Sequence, residues 1–348
     1  MKGIWKSSAL ALSLAVASSL VQAQTPNGKD QPKLLAASST AEVTVRPTGT
    51  AAKVNNQTIP EAAVVRALKA VPTEERSKAR TEIVQFLVDN VLIDQYLTAI
   101  KIAVEPIEIE KQMVDFQNEV KKHNQEYAKV LDNLILTEAE LREQIVGQIR
   151  WEKFVAQQAT PDTLQKMFQA NMDVFDGSMV RARHILVTPT AETDRAKQDS
   201  LAKMQQIKAA LDKAVENAMA TQKTAATPEE KEKLKARFTE DAFVSLAKDH
   251  SNCPSSRDGG DLNFFPRAGS MVEPFAKAAF ALKVGQLSEI VQTQFGYHLI
   301  LVTGRKAGTP TDFDKVKDAV KEYYEGKLRE AVTRQMREKS KIEILDGK

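Results

Sequence analysis

The chain has 348 residues, of which 42% are hydrophobic and 27% are charged, with 49 basic and 46 acidic side chains. That length allows about two domains, and that composition is ordinary for a folded globular protein. A chain so close to neutral lacks the basic surplus that binds phosphate backbones, so no nucleic-acid partner is expected.

The N-terminus carries the pattern of an export signal. Lys2 and Lys6 precede the apolar residues 9–20, and Val-Gln-Ala precedes Gln24. This is the layout of a secretory signal peptide, and the apolar run is shorter than the roughly 20 residues of a spanning helix. We predict a signal peptide over residues 1–23, no integral membrane segment in the mature chain, and a periplasmic or secreted location. No cysteine lies at the predicted cleavage site, which argues against a lipid anchor.

Residues 24–51 have no apolar period and are predicted to be a flexible leader. The next region, residues 52–176, begins with an Asn-Asn pair between two β-compatible runs, which predicts a tight hairpin. Helical patterns follow: Pro60 and Pro106 suit first turns, and Thr137 begins a capping box. Ile83 to Val91 form a core-facing helical stripe. We predict a helical N-terminal domain.

Residues 177–306 are predicted to form a second domain. Strands are expected at 181–187, after the Gly-Gly-Asp-Leu turn at 259–262, and at 297–303, with helices at 243–248 and 273–282. Between residues 190 and 238 one apolar stripe recurs at helical spacing, and it predicts a long helical insertion packed along one seam. The stripe consists of Leu201, Met204, Ile207, Leu211, Val215 and Met219.

The C-terminal region, residues 307–348, is predicted to be a helix followed by a short strand at 341–345. A lone strand of this length is not stable by itself. We therefore expect it to pair with the segment around Val54 and Ile59, so that the two ends of the chain close one unit around the middle domain.

The motifs that carry chemistry lie between His184 and His298, which occupy the first and last strands of the second domain. In chain order they are Phe-Val-Ser-Leu-Ala at 243–247, Ser-Asn-Cys at 251–253, Gly-Gly-Asp-Leu at 259–262, Met-Val-Glu-Pro-Phe at 271–275, Gly-Gln-Leu-Ser at 285–288 and Phe-Gly-Tyr-His at 295–298. This series closely resembles the parvulin family of prolyl isomerases, also called the PpiC or rotamase family, over residues 180–303.

The resemblance implies a fold and a site. The fold is α+β: a parvulin domain, a small antiparallel or mixed sheet with surrounding helices, inserted in a mostly helical body similar in layout to the SurA and PrsA class of exported chaperones. The site is a polar group around paired imidazoles and an apolar wall for the substrate proline ring. The implied polar, catalytic residues are His184, Cys253, Thr293 and His298, and the implied substrate-binding residues are Leu262, Met271 and Phe275.

Other readings of these residues have less support. Cys253 beside an imidazole could be a hydrolase nucleophile, although its surroundings match no cysteine-protease signature. A zinc site lacks paired ligand motifs, and no metal or cofactor is expected. As the only cysteine, Cys253 cannot form an intrachain disulfide. His123 and His250 match nothing in the family pattern and are expected to be surface residues.

Two functions remain open from the sequence. In one, the protein is a peptidyl-prolyl cis/trans isomerase and folding chaperone for secreted or outer-membrane proteins, acting noncovalently on X-Pro bonds of unfolded or partly folded exported polypeptides. In the other, it is a holdase whose parvulin domain binds Pro-containing segments with little turnover. Thr-Pro-Thr-Ala-Glu at 188–192 replaces the basic cluster of phosphate-selective relatives, so unphosphorylated substrates are expected. The sequence does not fix the clients or the oligomeric state.

Overall fold

The computed structural model describes residues 46–191, 193–221 and 227–345. The predicted signal peptide and most of the predicted leader lie outside these residues. The described chain forms two compact units, residues 46–169 with 316–345, and residues 170–315. None of the described helices is both long enough and apolar enough to cross a membrane.

Unit 1 contains a three-stranded antiparallel sheet in the order β2-β1-β7, formed by β1 (Thr50–Val54), β2 (Gln57–Pro60) and β7 (Ile342–Ile344). Asn55 has a φ of 55°, the left-handed conformation that a two-residue hairpin turn demands. Val54 lies opposite Gln57 on one side and Ile342 on the other. The pairing of the C-terminal strand with the Val54 segment is therefore confirmed, with β1 as the central strand.

The remainder of unit 1 is helical. A buried cluster joins the sheet to α2 (Arg76–Ala99) through Val54, Ile83, Val88 and Leu92, so the predicted apolar stripe faces the core. Thr137 begins its helix with the expected capping box, because Glu140 N–H donates to its hydroxyl at 3.2 Å. The helices are α1 (Glu61–Leu68), α2 (Arg76–Ala99), α3 (Pro106–Lys122), α4 (Tyr127–Asn133), α5 (Glu138–Gln158), α6 (Pro161–Ala170) and α11 (Phe313–Arg337).

Unit 2 is built on a four-stranded antiparallel sheet in the order β4-β3-β6-β5, formed by β3 (Met179–Val187), β4 (Asp261–Pro266), β5 (Val291–Thr293) and β6 (Gly296–Lys306). Its central pair is β3 and β6, which run together from Met179 opposite Lys306 to Val187 opposite Tyr297. The elements are α7 (Met172–Phe175), β3 (Met179–Val187), α8 (Asp194–Thr221), α9 (Pro228–His250), β4 (Asp261–Pro266), α10 (Glu273–Ala281), β5 (Val291–Thr293) and β6 (Gly296–Lys306).

Side chains alternate between the two faces of this sheet, as the strand period requires. On one face Ile185, Leu299 and Leu301 pack against α8 and α9. On the other face Ile300 and Val302 pack against α10. The sheet is thus covered by helices on both sides, and the α+β fold expected from the sequence is confirmed.

The insertion differs in detail from the sequence expectation. Its apolar stripe does pack along one seam, because Met204, Ile207, Leu211 and Val215 are buried against the sheet. The helix predicted at 243–248 is present, but its predicted length is wrong, because these residues belong to the end of α9, a helix of 23 residues. Its start was missed, although Thr227 makes a capping box with Glu230. The predicted domain limits at 177 and 306 stay predictions.

Candidate active site

Two buried histidines are brought together by the central strand pair of unit 2. His184 lies opposite Ile300 and His298 opposite Leu186, so the two histidines are diagonal neighbours on one face of the sheet. Their exposed fractions are 6% and 4%. The two Nδ1 atoms are 3.3 Å apart, and the rings stack with 5.5 Å between centroids. At this distance one Nδ1 is protonated and donates to the other.

The hydrogen-bond network assigns the protons. His298 Nε2 lies 2.8 Å from Thr293 Oγ1, whereas the buried Nε2 of His184 has no partner among the described residues. A buried N–H without a partner is rarer than a buried lone pair without one. We therefore place a proton on His184 Nδ1, which donates to His298 Nδ1. His298 Nε2–H then donates to Thr293, whose own hydroxyl hydrogen is left free.

Both imidazoles are neutral at physiological pH. Burial, together with a smaller effect of the neighbouring His298, lowers the pKa of His184 to about 3. Burial also lowers the pKa of His298 to about 4. The pair therefore acts as an uncharged hydrogen-bonded unit, which a dry site favours.

An aromatic and aliphatic wall surrounds the pair. The Phe275 ring meets His184 and His298 edge to face, with centroids 5.5 and 5.4 Å apart. Leu262 and Met271, both half-buried, pack on the same apolar cluster as Phe275. The structure thus places the three predicted substrate-binding residues in one cluster beside the imidazoles.

Cys253 is held at the end of β3 by the loop that contains it. Leu186 N–H donates to Ser251 Oγ at 3.1 Å, and Asn252 N–H donates to Leu186 O at 2.8 Å. Cys253 is half-buried, and its own N–H donates to Ser251 Oγ at 3.3 Å. Within the described residues its thiol makes no hydrogen bond to either imidazole, so the structure brings Cys253 near the strand of His184 without joining it to the histidine network.

Sequence reasoning missed several residues that shape this site. Ser251 anchors the cysteine loop, and Phe265 extends the aromatic wall, with its ring centroid 6.1 Å from that of Phe275. Gly260 has a φ of 80°, and a Cβ there would lie 2.3 Å from His184 O. The Ser-Asn-Cys and Gly-Gly-Asp-Leu motifs contain Ser251 and Gly260 but give no backbone distance, and Phe265 lies outside both motifs. His123 is exposed, as expected, and so is His250.

A comparison with known families decides what this unit is. The family model described as Rotamase, PPIC-type PPIASE domain, matches residues 214–304. That span contains six of the seven predicted site residues, and His184 precedes it. This part of the chain is a parvulin-type domain. The resemblance stated from the sequence is confirmed.

Curated relatives match mainly over part of the chain. Foldase protein PrsA of Bacillus subtilis is 39% identical over 135 residues, which are 37% of this chain and 43% of the relative. Peptidyl-prolyl cis-trans isomerase Pin1 of Digitalis lanata is 52% identical over 63 residues, which are 18% of this chain and 52% of the relative. The chain therefore spans about half, or less, of the length of these relatives.

Among solved structures, the crystal structure of peptidylprolyl isomerase PrsA from Bacillus anthracis aligns with 74% of this chain and 96% of its own, at 23% identity and a TM-score of 0.40. The expected similarity to the PrsA class is matched by curated relatives of that name. Within the described residues, no group of three or more histidine, cysteine or acidic side chains is placed so that it could hold a metal ion.

Proposed function

We propose that the protein is an exported peptidyl-prolyl cis/trans isomerase and folding chaperone. The observation that carries this proposal is a buried, neutral imidazole pair set against an apolar wall. Such a site offers a dry surface for a proline ring and uncharged polar groups for the adjoining amide. The parvulin-type domain and the relatives named isomerase or foldase support the same activity.

The chemistry of the reaction fits this arrangement. An X-Pro bond isomerises slowly because amide resonance sets a barrier of roughly 20 kcal/mol, and no covalent bond needs to break. Leu262, Met271 and Phe275 would grip the pyrrolidine ring while the preceding carbonyl rotates. The free hydroxyl hydrogen of Thr293 would donate to the prolyl nitrogen, which regains its lone pair when the amide is twisted and resonance is lost. The mechanism proposed is noncovalent, with the twisted amide held more tightly than the planar one.

The roles of the polar residues follow from their contacts. His184 and His298 would hold Thr293 in position, since the pair ends at its hydroxyl. Cys253 would form part of the rim without acting as a nucleophile, because a nucleophilic thiol needs a base within hydrogen-bond reach. We infer unphosphorylated X-Pro segments of unfolded exported polypeptides as substrates.

A protease-coupled assay on a short Pro-containing peptide tests the activity. We expect catalysed turnover for the wild type and a loss of tenfold or more in kcat/KM for Met271→Ala and His298→Ala. Met172→Ala is the matched control, because Met172 belongs to the same unit but is 57% exposed outside the cluster. Wild-type turnover no faster than the uncatalysed reaction would contradict the proposal.

A holdase is the second candidate, and one surface favours it. Ile107 and Val114 are 75% and 50% exposed on α3, and their spacing of seven residues puts them on one helix face. Exposed apolar side chains of this kind suit binding of unfolded chains. Suppression of aggregation by a wild type that shows no peptide turnover would favour the holdase over the isomerase.

A further inference from the structure

Residues 285–288 extend the edge of the unit 2 sheet beyond β5. Ser288 N–H donates to Ile300 O at 2.8 Å, and Val302 N–H donates to Gln286 O at 3.2 Å. Leu287 lies between these bonds and bridges to Leu301. In an antiparallel ladder such a residue directs its own N–H and C=O away from the partner strand. Neither group of Leu287 has a hydrogen-bond partner in the described part of the chain.

This open edge borders a groove of about 840 Å³ formed by α8, α9 and the loop at 283–289. Leu211 and Val215 on α8 lie at its base but are only 1% and 6% exposed, so the half-buried Met219 supplies more of the open apolar surface there. Val284 stands at the mouth and is 54% exposed. The groove therefore combines a mixed polar and apolar lining with an unpaired backbone donor and acceptor.

The dimensions suit a short extended peptide. α8 lines the groove from Lys208 to Met219, which is about 16 Å at 1.5 Å per residue. An extended chain covers that length with about five residues. The rim carries both signs of charge in similar number and so favours an uncharged segment. The rim cations are Lys208, Lys235 and Lys283, and the rim anions are Asp212, Glu216, Glu232 and Glu289.

We propose that this groove binds an extended, uncharged segment of an unfolded polypeptide by strand addition at Leu287. Main-chain bonds to the Leu287 N–H and C=O supply register, and alternate apolar side chains enter the groove. The choice of an unfolded polypeptide rests on the proposed function. The site itself is separate from the prolyl pocket, because it lies on the α8 side of the sheet, whereas Phe275 packs on the other face.

The groove also has a consequence for substrates. The loop at 283–289 connects α10, which carries Phe275, to β5, which carries Thr293. A client segment held in the groove keeps the rest of that client close to the prolyl pocket, which raises its effective concentration there. Long substrates with such a segment should show a lower KM than short peptides, with a similar kcat.

The test uses a fluorescein-labelled peptide with the sequence Ser-Val-Thr-Val-Thr-Val-Ser, which contains no proline. We expect it to bind the wild-type protein and to slow hydrogen exchange at the Leu287 amide. Val284→Asp should weaken binding about fivefold or more, because it places a charge at the mouth. Met172→Asp is the matched control, since Met172 is 57% exposed in the same unit but does not line the groove. Methylation of the central valine nitrogen of the peptide should weaken binding roughly three- to tenfold through one lost hydrogen bond.

The outcomes separate this site from the proposed isomerase. Val284→Asp should leave turnover of a short Pro-containing tetrapeptide unchanged. A wild-type protein that binds the valine peptide but shows no isomerase activity would contradict the proposed function and leave the groove proposal intact. Peptide binding that is equal in Val284→Asp, or that leaves exchange at Leu287 unchanged, overturns the proposal. A Leu287 amide already protected in the free monomer shows that the chain's own residues fill the groove, and protection that appears only on dimerisation assigns it to a second copy. Either result also overturns it.

Discussion

Thr293 terminates the hydrogen-bond network of the site. Its hydroxyl accepts from Phe295 N–H at 3.1 Å and lies 2.8 Å from His298 Nε2. Thr293→Val keeps the side-chain shape but leaves two donors without an acceptor, one of them buried. We expect the free energy of unfolding in urea to fall by about 1–3 kcal/mol, with a loss of turnover. Thr293→Ser retains the hydroxyl and should lie much closer to the wild type, and equal losses in the two variants would contradict the network.

The histidine pair predicts how stability depends on pH. The ordinary pKa of 6.5 falls to about 3 for His184 and about 4 for His298 in the folded protein. Below pH 6.5 the unfolded state therefore binds more protons than the folded state. The contribution of the two neutral histidines to the free energy of unfolding is fully present above pH 6.5 and is lost as the pH falls toward 4. With two protons involved, the slope approaches about 2.7 kcal/mol per pH unit.

Urea unfolding from pH 7.5 to 4.5 measures this slope. Other acidic groups also titrate near the lower limit, so the informative quantity is the difference between the wild type and His298→Asn. That variant removes one of the two depressed groups, and we expect it to lose stability less steeply with falling pH. Parallel curves for the two proteins would show that the imidazoles are not buried in the neutral form.

At the scale of elements, the turn before β4 controls the position of His184. Gly260 combines a φ of 80° with a backbone contact, because an added Cβ would lie 2.3 Å from His184 O. Gly269 has a φ of 83° but has open space around it. We expect Gly269→Ala to lower the free energy of unfolding by about 1–2 kcal/mol, the conformational cost alone. Gly260→Ala should lose at least about 3 kcal/mol, because the backbone must also move.

Urea unfolding and peptide turnover of the two glycine variants test this difference. Similar losses of stability would mean that the close approach to His184 carries no cost. A Gly260→Ala protein that keeps full turnover would mean that the turn does not position the histidine.

The sequence predicted most elements because their signals are local. The capping box at Thr137, the hairpin at Asn55 and the apolar stripe of α8 each depend on residues within a few positions of one another. α9 was divided wrongly because its N-terminal half has few apolar residues, and its capping box at Thr227 was overlooked. For the site, family motifs identified the residue set. They could not give the Nδ1–Nδ1 contact or the lowered pKa values, which depend on long-range pairing and burial.

At the scale of the whole molecule, unit 1 is closed by a strand from the far end of the chain. Asn55 N–H donates to Lys341 O at 2.8 Å, and Leu345 N–H donates to Ala51 O at 2.9 Å. Glu343, opposite Lys53, is exposed at the centre of this strand. Glu343→Pro removes a backbone donor and should lower the stability of unit 1 by about 1–3 kcal/mol.

Two signals separate the units in this experiment. Trp151 lies in α5 and reports unfolding of unit 1 by fluorescence, whereas turnover of a short peptide reports unit 2. Glu343→Pro should shift the Trp151 transition and leave turnover unchanged, and Glu343→Thr should alter neither. A change in peptide turnover without a shift of the Trp151 transition would mean that the C-terminal strand stabilises unit 2, which contradicts its pairing with β1.

The pairing of β7 with β1 also sets an order of events during biosynthesis. Unit 2 ends at residue 315 and has its complete sequence before the last strand of unit 1 is synthesised. The three-stranded sheet must wait for Ile342–Ile344, so β1 emerges from the ribosome long before its second neighbour. Because domains fold as units once their residues are available, the inserted module is the first that can mature.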